Sequence, residues 1–212
     1  MKIGLLGGTF NPIHNGHLAL ADEARLNFGL DKVWFIPAGD PYQKDKKDLL
    51  PASVRYNLVV DATNYIEWAE VSSIEVLNNG PSYTSETLAK LKERYPDDEF
   101  YLIIGADAFK QISISWRSPQ YIFDNCTIIV GYRADQSEPS FTHQIAIEYK
   151  TKWNAKVLEM PFYNQLSSSW IREKSRTGSS YRFDVPYCVY KYLEKNHPYE
   201  KTSNTSDNMP AL

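Results

Sequence analysis

Met1-Lys2-Ile3-Gly4-Leu5-Leu6-Gly7-Gly8-Thr9-Phe10-Asn11-Pro12-Ile13-His14-Asn15-Gly16-His17 is the stretch on which the reading of this chain turns. Met1 to Leu6 is a short apolar run of the kind that forms a buried parallel strand. Gly7 and Gly8 follow, where backbone amides can approach a ligand with no Cβ in the way. His14 and His17 come next, the second one residue into a helix that starts at Gly16. A helix N-terminus favours anions through its free N–H groups and its dipole, and imidazoles placed there add donors for a phosphate. Strand, glycine turn, paired histidines and helix start together point to phosphate chemistry. A glycine turn with two surface histidines is the plainer alternative.

Outward from this stretch, strand and helix patterns alternate. Leu18, Ala21, Ala24 and Phe28 recur near helical spacing after Gly16. Further strands are predicted over Lys32 to Pro37, Ala69 to Leu77, Phe100 to Ile104, Thr127 to Val130 and Lys156 to Met160. Between them lie a helix from Pro51 to about Tyr65 and one running to Tyr95 that Ser82 or Thr84 is placed to cap. Short helices around Phe109 and from Pro119 to Phe123 follow, then a polar loop from Ala134 to Ser140 and a helix from Thr142 to Lys152. Ser168 to Arg176 and Val185 to Lys195 are the closing helices, and residues 197–212 read as a disordered tail on a domain spanning 1–196.

Such alternation demands a Rossmann-like α/β fold: a doubly wound, mostly parallel sheet in a single domain, with right-handed crossovers and helices on both faces. In such sheets ligands bind beyond the carboxyl ends of the strands. Gly7-Gly8, Pro37 to Lys44, Gly105 to Asp107, Arg133 and Ser167 to Arg172 all fall there, five loops on one rim. No Gly-x-Gly-x-x-Gly follows the first strand and no Gly-x4-Gly-Lys-Ser/Thr occurs, so neither the usual dinucleotide fingerprint nor a P-loop is present.

Composition narrows the class. The 212 residues are 42% apolar and 23% charged, an ordinary globular balance, and the net charge of −3 argues against a protein that coats nucleic acid. No apolar run approaches a bilayer span, and Met1 to Gly4 leads into a strand rather than a signal peptide, so no membrane association and a cytoplasmic location are expected. Cys126, in a strand-like run, and Cys188, in a helical pattern, are spaced for neither a zinc site nor a disulfide framework. Fifteen tyrosines, nine phenylalanines and five tryptophans supply a core and leave candidates for stacking on a base. His143 and His197 read as surface residues.

Gly7 to His17 resembles the signature of the nucleotidyltransferase superfamily that carries a His-x-Gly-His motif. Taken with Pro41 to Lys44, Ser82-Tyr83-Thr84, Gly105-Ala106-Asp107, Ser115-Trp116 and Ser167-Ser168-Ser169-Trp170-Ile171-Arg172, the chain resembles bacterial nicotinate mononucleotide adenylyltransferases along almost its whole length. The first motif alone is specific only to the superfamily; the ordered set narrows it. The resemblance implies a Mg²⁺-dependent enzyme that moves the adenylyl group of ATP onto nicotinate mononucleotide, with His14, His17 and Arg172 as catalytic residues and no dedicated protein metal site. It places ATP against Gly8, Thr9, Phe10, His17, Gly105, Asp107, Ser168, Ser169 and Arg172, and the mononucleotide against Lys44, Tyr83, Thr84 and Trp116; Arg133, just after a strand, is a further candidate for the phosphates or ribose of ATP by its position.

The residue chemistry runs alongside. Arg172 stands one turn into a helix that Ser167 to Ser169 can cap, so helix end, hydroxyls and a charged fork converge on one phosphate. Asp107 can accept from a ribose hydroxyl, help hold Mg²⁺ or cap the next helix. Trp116 can stack on a pyridine ring, and amides near Tyr83 and Thr84 can receive its carboxylate. Tyr42 and Gln43 depart from the family's Pro-Pro-His-Lys, Leu166 and Ser169 from its Ile-Ser-Ser-Thr-x-Ile-Arg, and Asn11 replaces a common aspartate with little expected consequence. Rival readings are an adenylyltransferase for nicotinamide mononucleotide or phosphopantetheine, and a nucleotide-binding module without catalysis. The oligomeric state, a homo-oligomer included, is left open.

Overall fold

Six strands pair in the order β3-β2-β1-β4-β5-β6, every pair parallel. The computed structural model describes residues 1–41, 48–78, 80–132 and 138–200. In chain order the elements are β1 (Lys2–Gly8), α1 (Asn15–Phe28), β2 (Lys32–Pro37), α2 (Ala52–Thr63), β3 (Ala69–Val71), α3 (Thr84–Arg94), β4 (Glu99–Gly105), α4 (Ala106–Ser115), α5 (Pro119–Asn125), β5 (Thr127–Tyr132), α6 (Glu138–Trp153), β6 (Val157–Pro161), α7 (Ser168–Thr177) and α8 (Tyr187–Asn196). The chain turns back across the sheet between β1 and β4, which makes their carboxyl ends the topological switch point where such sheets bind ligands.

Alternation of side chains along each strand builds two cores. Leu6, Val33, Phe35, Ile103 and Ile129 face α1, α2, α7 and α8. Their neighbours Leu5, Trp34, Ile36, Leu102, Ile104, Ile128 and Val130 face α3 to α6. Strands buried on both sides have no polar face, and the apolar runs in the sequence follow from that. The doubly wound single-domain expectation holds, with a sheet that is wholly parallel.

Four expectations are corrected. The strand predicted over Ala69 to Leu77 ends at Val71. It is an edge strand paired with Val33 to Phe35 alone; after Ser72 N donates to Phe35 O, the chain turns away. Neither Ser82 nor Thr84 caps α3: Tyr83 occupies the N-cap with no side-chain cap, and Ser82 Oγ accepts from Gly39 N at 3.1 Å. Cys126 sits at the C-cap of α5, its buried thiol donating to Ile122 O, rather than within a strand. Residues 138–140, read as polar loop, already belong to α6.

Tyr199, inside the stretch read as tail, is packed into the fold. Tyr199 is 3% exposed, its hydroxyl donates to Asn11 Oδ1 at 3.2 Å, and its carbonyl accepts from Arg176 Nε at 3.1 Å. An aromatic anchor in a polar stretch escapes a periodicity test. Both cysteines are free.

Candidate active site

The turn after β1 carries the first half of the site. His14 is the N-cap of α1, and its backbone N–H donates to His17 Nδ1 at 3.2 Å. With Nδ1 accepting, a neutral His17 carries its proton on Nε2, which is therefore a donor. The two imidazoles stack with centroids 3.6 Å apart and planes 25° apart, and Phe10 packs edge-on against His17 at 4.9 Å. Burial lowers the His14 pKa to about 4, against a smaller opposing pull from Asp184. His17 is held well below the usual imidazole range by burial first and by His14 second. Both rings are thus neutral at pH 7, and His14 Nδ1 is buried with no hydrogen-bond partner among the described residues. An incoming polyanion would raise both pKa values by supplying the missing counter-charge.

α7 brings the second half. Ser167 caps it, its Oγ accepting from Trp170 N at 3.2 Å. Ser168 Oγ donates to Pro12 O and Arg172 Nη1 to Asn11 O, each at 2.9 Å, so the first turn of α7 is clipped onto the β1 loop. Arg172 Nε remains buried with no partner among the described residues. Gly16 lies close against this clip: a Cβ there would press on the Asn164 side-chain amide on the segment entering α7, which would have to shift. Two helix N-termini with donors to spare therefore meet at one point.

Asn11 does more than substitute for an aspartate. Its Nδ2 donates to Asp48 O at 2.7 Å while Oδ1 accepts from Leu50 N and the Tyr199 hydroxyl. A carboxylate would face the Asp48 carbonyl without a proton, so the exchange has a consequence that near-isosteric shape hides.

Beside this point, over the carboxyl ends of β1, β2 and β4, lies a mainly apolar pocket. Gly8, Thr9, Tyr83, Thr84 and Trp116 line it, together with Glu75 and Arg117. Gly8 and Thr9 line the pocket and lead through Phe10 into the Asn11-Pro12 stretch that α7 grips. Gly105 is the N-cap of α4 and Asp107 lies in its first turn, exposed and 3.7 Å from Lys110 Nζ. Among the described residues no cluster of three histidine, cysteine, aspartate or glutamate side chains is placed to hold a metal.

The structure thus gathers His14, His17, Ser168, Ser169 and Arg172 at one end and Tyr83, Thr84 and Trp116 at the other. Phe10 is the exception: at positive φ (47°) its ring turns into the core, 2% exposed, so only its backbone is available to a ligand. Lys44 and Arg133 lie outside the described residues.

Arg55 was not singled out from the sequence. It is 1% exposed and donates through Nε to Leu50 O (3.0 Å), Nη1 to Thr9 O (2.7 Å) and Nη2 to Gly39 O (3.0 Å). One guanidinium therefore joins the loops after β1 and β2, and burial lowers its pKa. A signal existed: Arg55, Leu58, Val59 and Ala62 share the buried face of α2, a cation in phase with an apolar stripe.

The sequence model of the cytidylyltransferase-like family matches residues 5–174. A probable nicotinate-nucleotide adenylyltransferase of Saccharopolyspora erythraea is 37% identical, over 93% of this chain and 89% of its own. One of Dictyoglomus thermophilum is 38% identical over 94% and 100%. Among solved structures, Plasmodium falciparum nicotinic acid mononucleotide adenylyltransferase complexed with NaAD superposes with a TM-score of 0.75 over 93% of this chain and 97% of that one. At 18% identity that likeness carries the fold alone.

Proposed function

The chain belongs to the cytidylyltransferase-like family, and from that premise we propose that it transfers the adenylyl group of ATP to nicotinate mononucleotide, giving deamido-NAD and pyrophosphate. The observation that carries this reading is the continuity of one loop: Gly8 and Thr9 line a mainly apolar pocket, and Asn11 and Pro12, just after Phe10, are gripped by α7 ahead of His14, the N-cap of α1. A mononucleotide seated with its ring against Trp116 directs its phosphate to the histidines.

In the transfer, a phosphate oxygen of the mononucleotide forms a bond to the α-phosphorus of ATP as the bond to the bridging oxygen of pyrophosphate breaks. No covalent enzyme intermediate is needed, so the chain aligns two anions and spreads developing charge. His17 donates from Nε2 to the α-phosphate, Arg172 adds the free edge of its guanidinium, and His14 keeps His17 oriented. Ser168 spends its hydroxyl proton on Pro12 and holds the loop, while Ser169 and the α7 amides face the phosphates. Lys44 and Arg133 are assigned to phosphates as charged donors. Asp107, exposed in the first turn of α4, would help hold Mg²⁺ that arrives with ATP, and the ion would supply neutralisation of the phosphate charge. A cytoplasmic location goes with this reading; no helix among the described residues is long and apolar enough to cross a membrane.

The test is pyrophosphate release from ATP and Mg²⁺ with a panel of acceptors. The highest kcat/KM is expected with nicotinate mononucleotide. A preference for nicotinamide mononucleotide or phosphopantetheine overturns the acceptor, and release with none of them overturns the transfer.

A further inference from the structure

The ring pocket holds two charged side chains that the phosphate chemistry leaves unused. Glu75 forms part of its wall, with Thr87 Oγ1 donating to Oε1 at 2.7 Å. Burial pushes its carboxyl pKa up, opposed by the hydroxyls of Thr87 and Ser82 and by Lys90. Arg117 follows Trp116 at the mouth. Its Nη1 donates to Glu86 Oε1 at 2.7 Å, and its guanidinium carbon lies 5.0 Å from the centre of the Tyr83 ring. Among the described residues that line the pocket, Arg117 is the sole cation.

Resting on the acceptor proposed above, we propose that Arg117 is a specificity-determining residue that selects an acidic ring substituent over its amide. Nicotinate and nicotinamide mononucleotides both carry a ring nitrogen made cationic by its bond to ribose. Glu75 acts on that cation in both alike and cannot tell them apart. They differ by one negative charge at the ring substituent. The amides at the start of α3 are suited to that charge, but Glu86 in the same first turn opposes it. Arg117 cancels Glu86 and leaves donors over for the incoming carboxylate. Pinned between Glu86 and the Tyr83 ring, it loses little rotamer freedom on binding. Its side chain is 59% exposed, so its pull is screened by salt, unlike that of a buried pair.

The experiment compares kcat/KM for the two mononucleotides, with ATP and Mg²⁺, in wild type, Arg117→Gln and Arg117→Lys. The acid-to-amide ratio is expected to fall about tenfold in Arg117→Gln, the order of one rim charge in a mixed dielectric, mostly through the KM of the acid. Arg117→Lys should retain most of the ratio, because the charge remains. Added salt should narrow the wild-type ratio and leave that of Arg117→Gln nearly flat. A proportional loss for both substrates in Arg117→Gln would mean that the residue merely supports the rim, and the proposal fails. A wild-type ratio near one overturns the acid assignment together with this role. A wild-type acid-to-amide ratio that is unchanged in Arg117→Gln overturns Arg117 alone.

Discussion

His17, Ser168 and Arg172 stand in the first turns of two helices and grip backbone atoms of the β1 loop, whereas Tyr83 and Arg117 at the ring pocket lean on one another across its mouth. The first arrangement is partly buried and cross-tied; the second is more open to solvent and held by one ion pair and one ring contact. A transferring phosphorus needs donors that do not reorganise, because their worth lies in being aimed before charge develops. A pocket that chooses between two rings needs only a charge in the right place. Damage to the phosphate end should therefore lower turnover for any acceptor, and damage to the ring pocket should change which acceptor is used or how well it binds.

The sharpest break is His17→Ala. Loss of one transition-state donor should lower kcat by about two to three orders of magnitude, with acid and amide acceptors affected equally. ATP affinity, measured by calorimetry, should change far less. A selective loss with one acceptor would show that the two ends of the site are not separable.

Arg55→Met addresses what joins the ends. Three carbonyls on three segments lose their donor together, so stability should drop by about 3 kcal/mol or more in denaturant melts. What survives should show both a raised KM and a lowered kcat, since Thr9 and Gly39 are freed at once. A variant of near-normal stability would mean that the guanidinium is not what ties the two loops.

How far these residues were legible depended on how local their cause was. β2 is bounded as predicted, Lys32 to Pro37, because an apolar run between a charged residue and a proline needs no tertiary information. β3 was overextended because its end is set by tertiary contacts: it pairs only with Val33 to Phe35 of β2, and the chain then brings the Glu75 carbonyl against Gly39, where a Cβ would collide. The histidines and Arg172 could be found because helix starts announce themselves in sequence. The resemblance picked out Phe10 as a ligand contact, but its positive φ, invisible in a linear pattern, turns the ring inward. Glu75 and Arg117 carry no local signal at all: only the fold sets a carboxyl and a guanidinium around one ring-sized space.

The pH dependence of stability sharpens the phosphate side. His14 has a folded pKa of about 4 against an ordinary value of 6.5, so its neutral form is the one that the fold favours. That contribution is complete above pH 6.5 and is lost as pH falls toward 4, where the unfolded chain binds a proton that the folded chain refuses. The loss should reach about 3 kcal/mol over this window and flatten below it. His14→Gln should remove the His14 part of the slope, and ATP should shift the His14 imidazole titration upward in NMR. A titration that stays put with ATP bound would separate His14 from the phosphates.

Trp116→Ala is the mildest change and tests the other side. Trp116 is half-buried, packs against the core beneath α3 to α6 and presents its remaining surface to the pocket. Stacking on a flat ring does not depend on whether the substituent is an acid or an amide. Its loss should cost about 1–2 kcal/mol of binding, equivalent to roughly a tenfold rise in KM for both mononucleotides. The acid-to-amide ratio should not move, because the charge that reads the substituent sits on the next residue. Turnover at saturation should hold, since the phosphate end is tied to β1 and α7 and does not rest on this ring. Steady-state kinetics with both acceptors decides it: a fall in kcat larger than the rise in KM would mean that the ring positions the phosphate as well as holding the base, and the division of labour between the two ends would have to be redrawn.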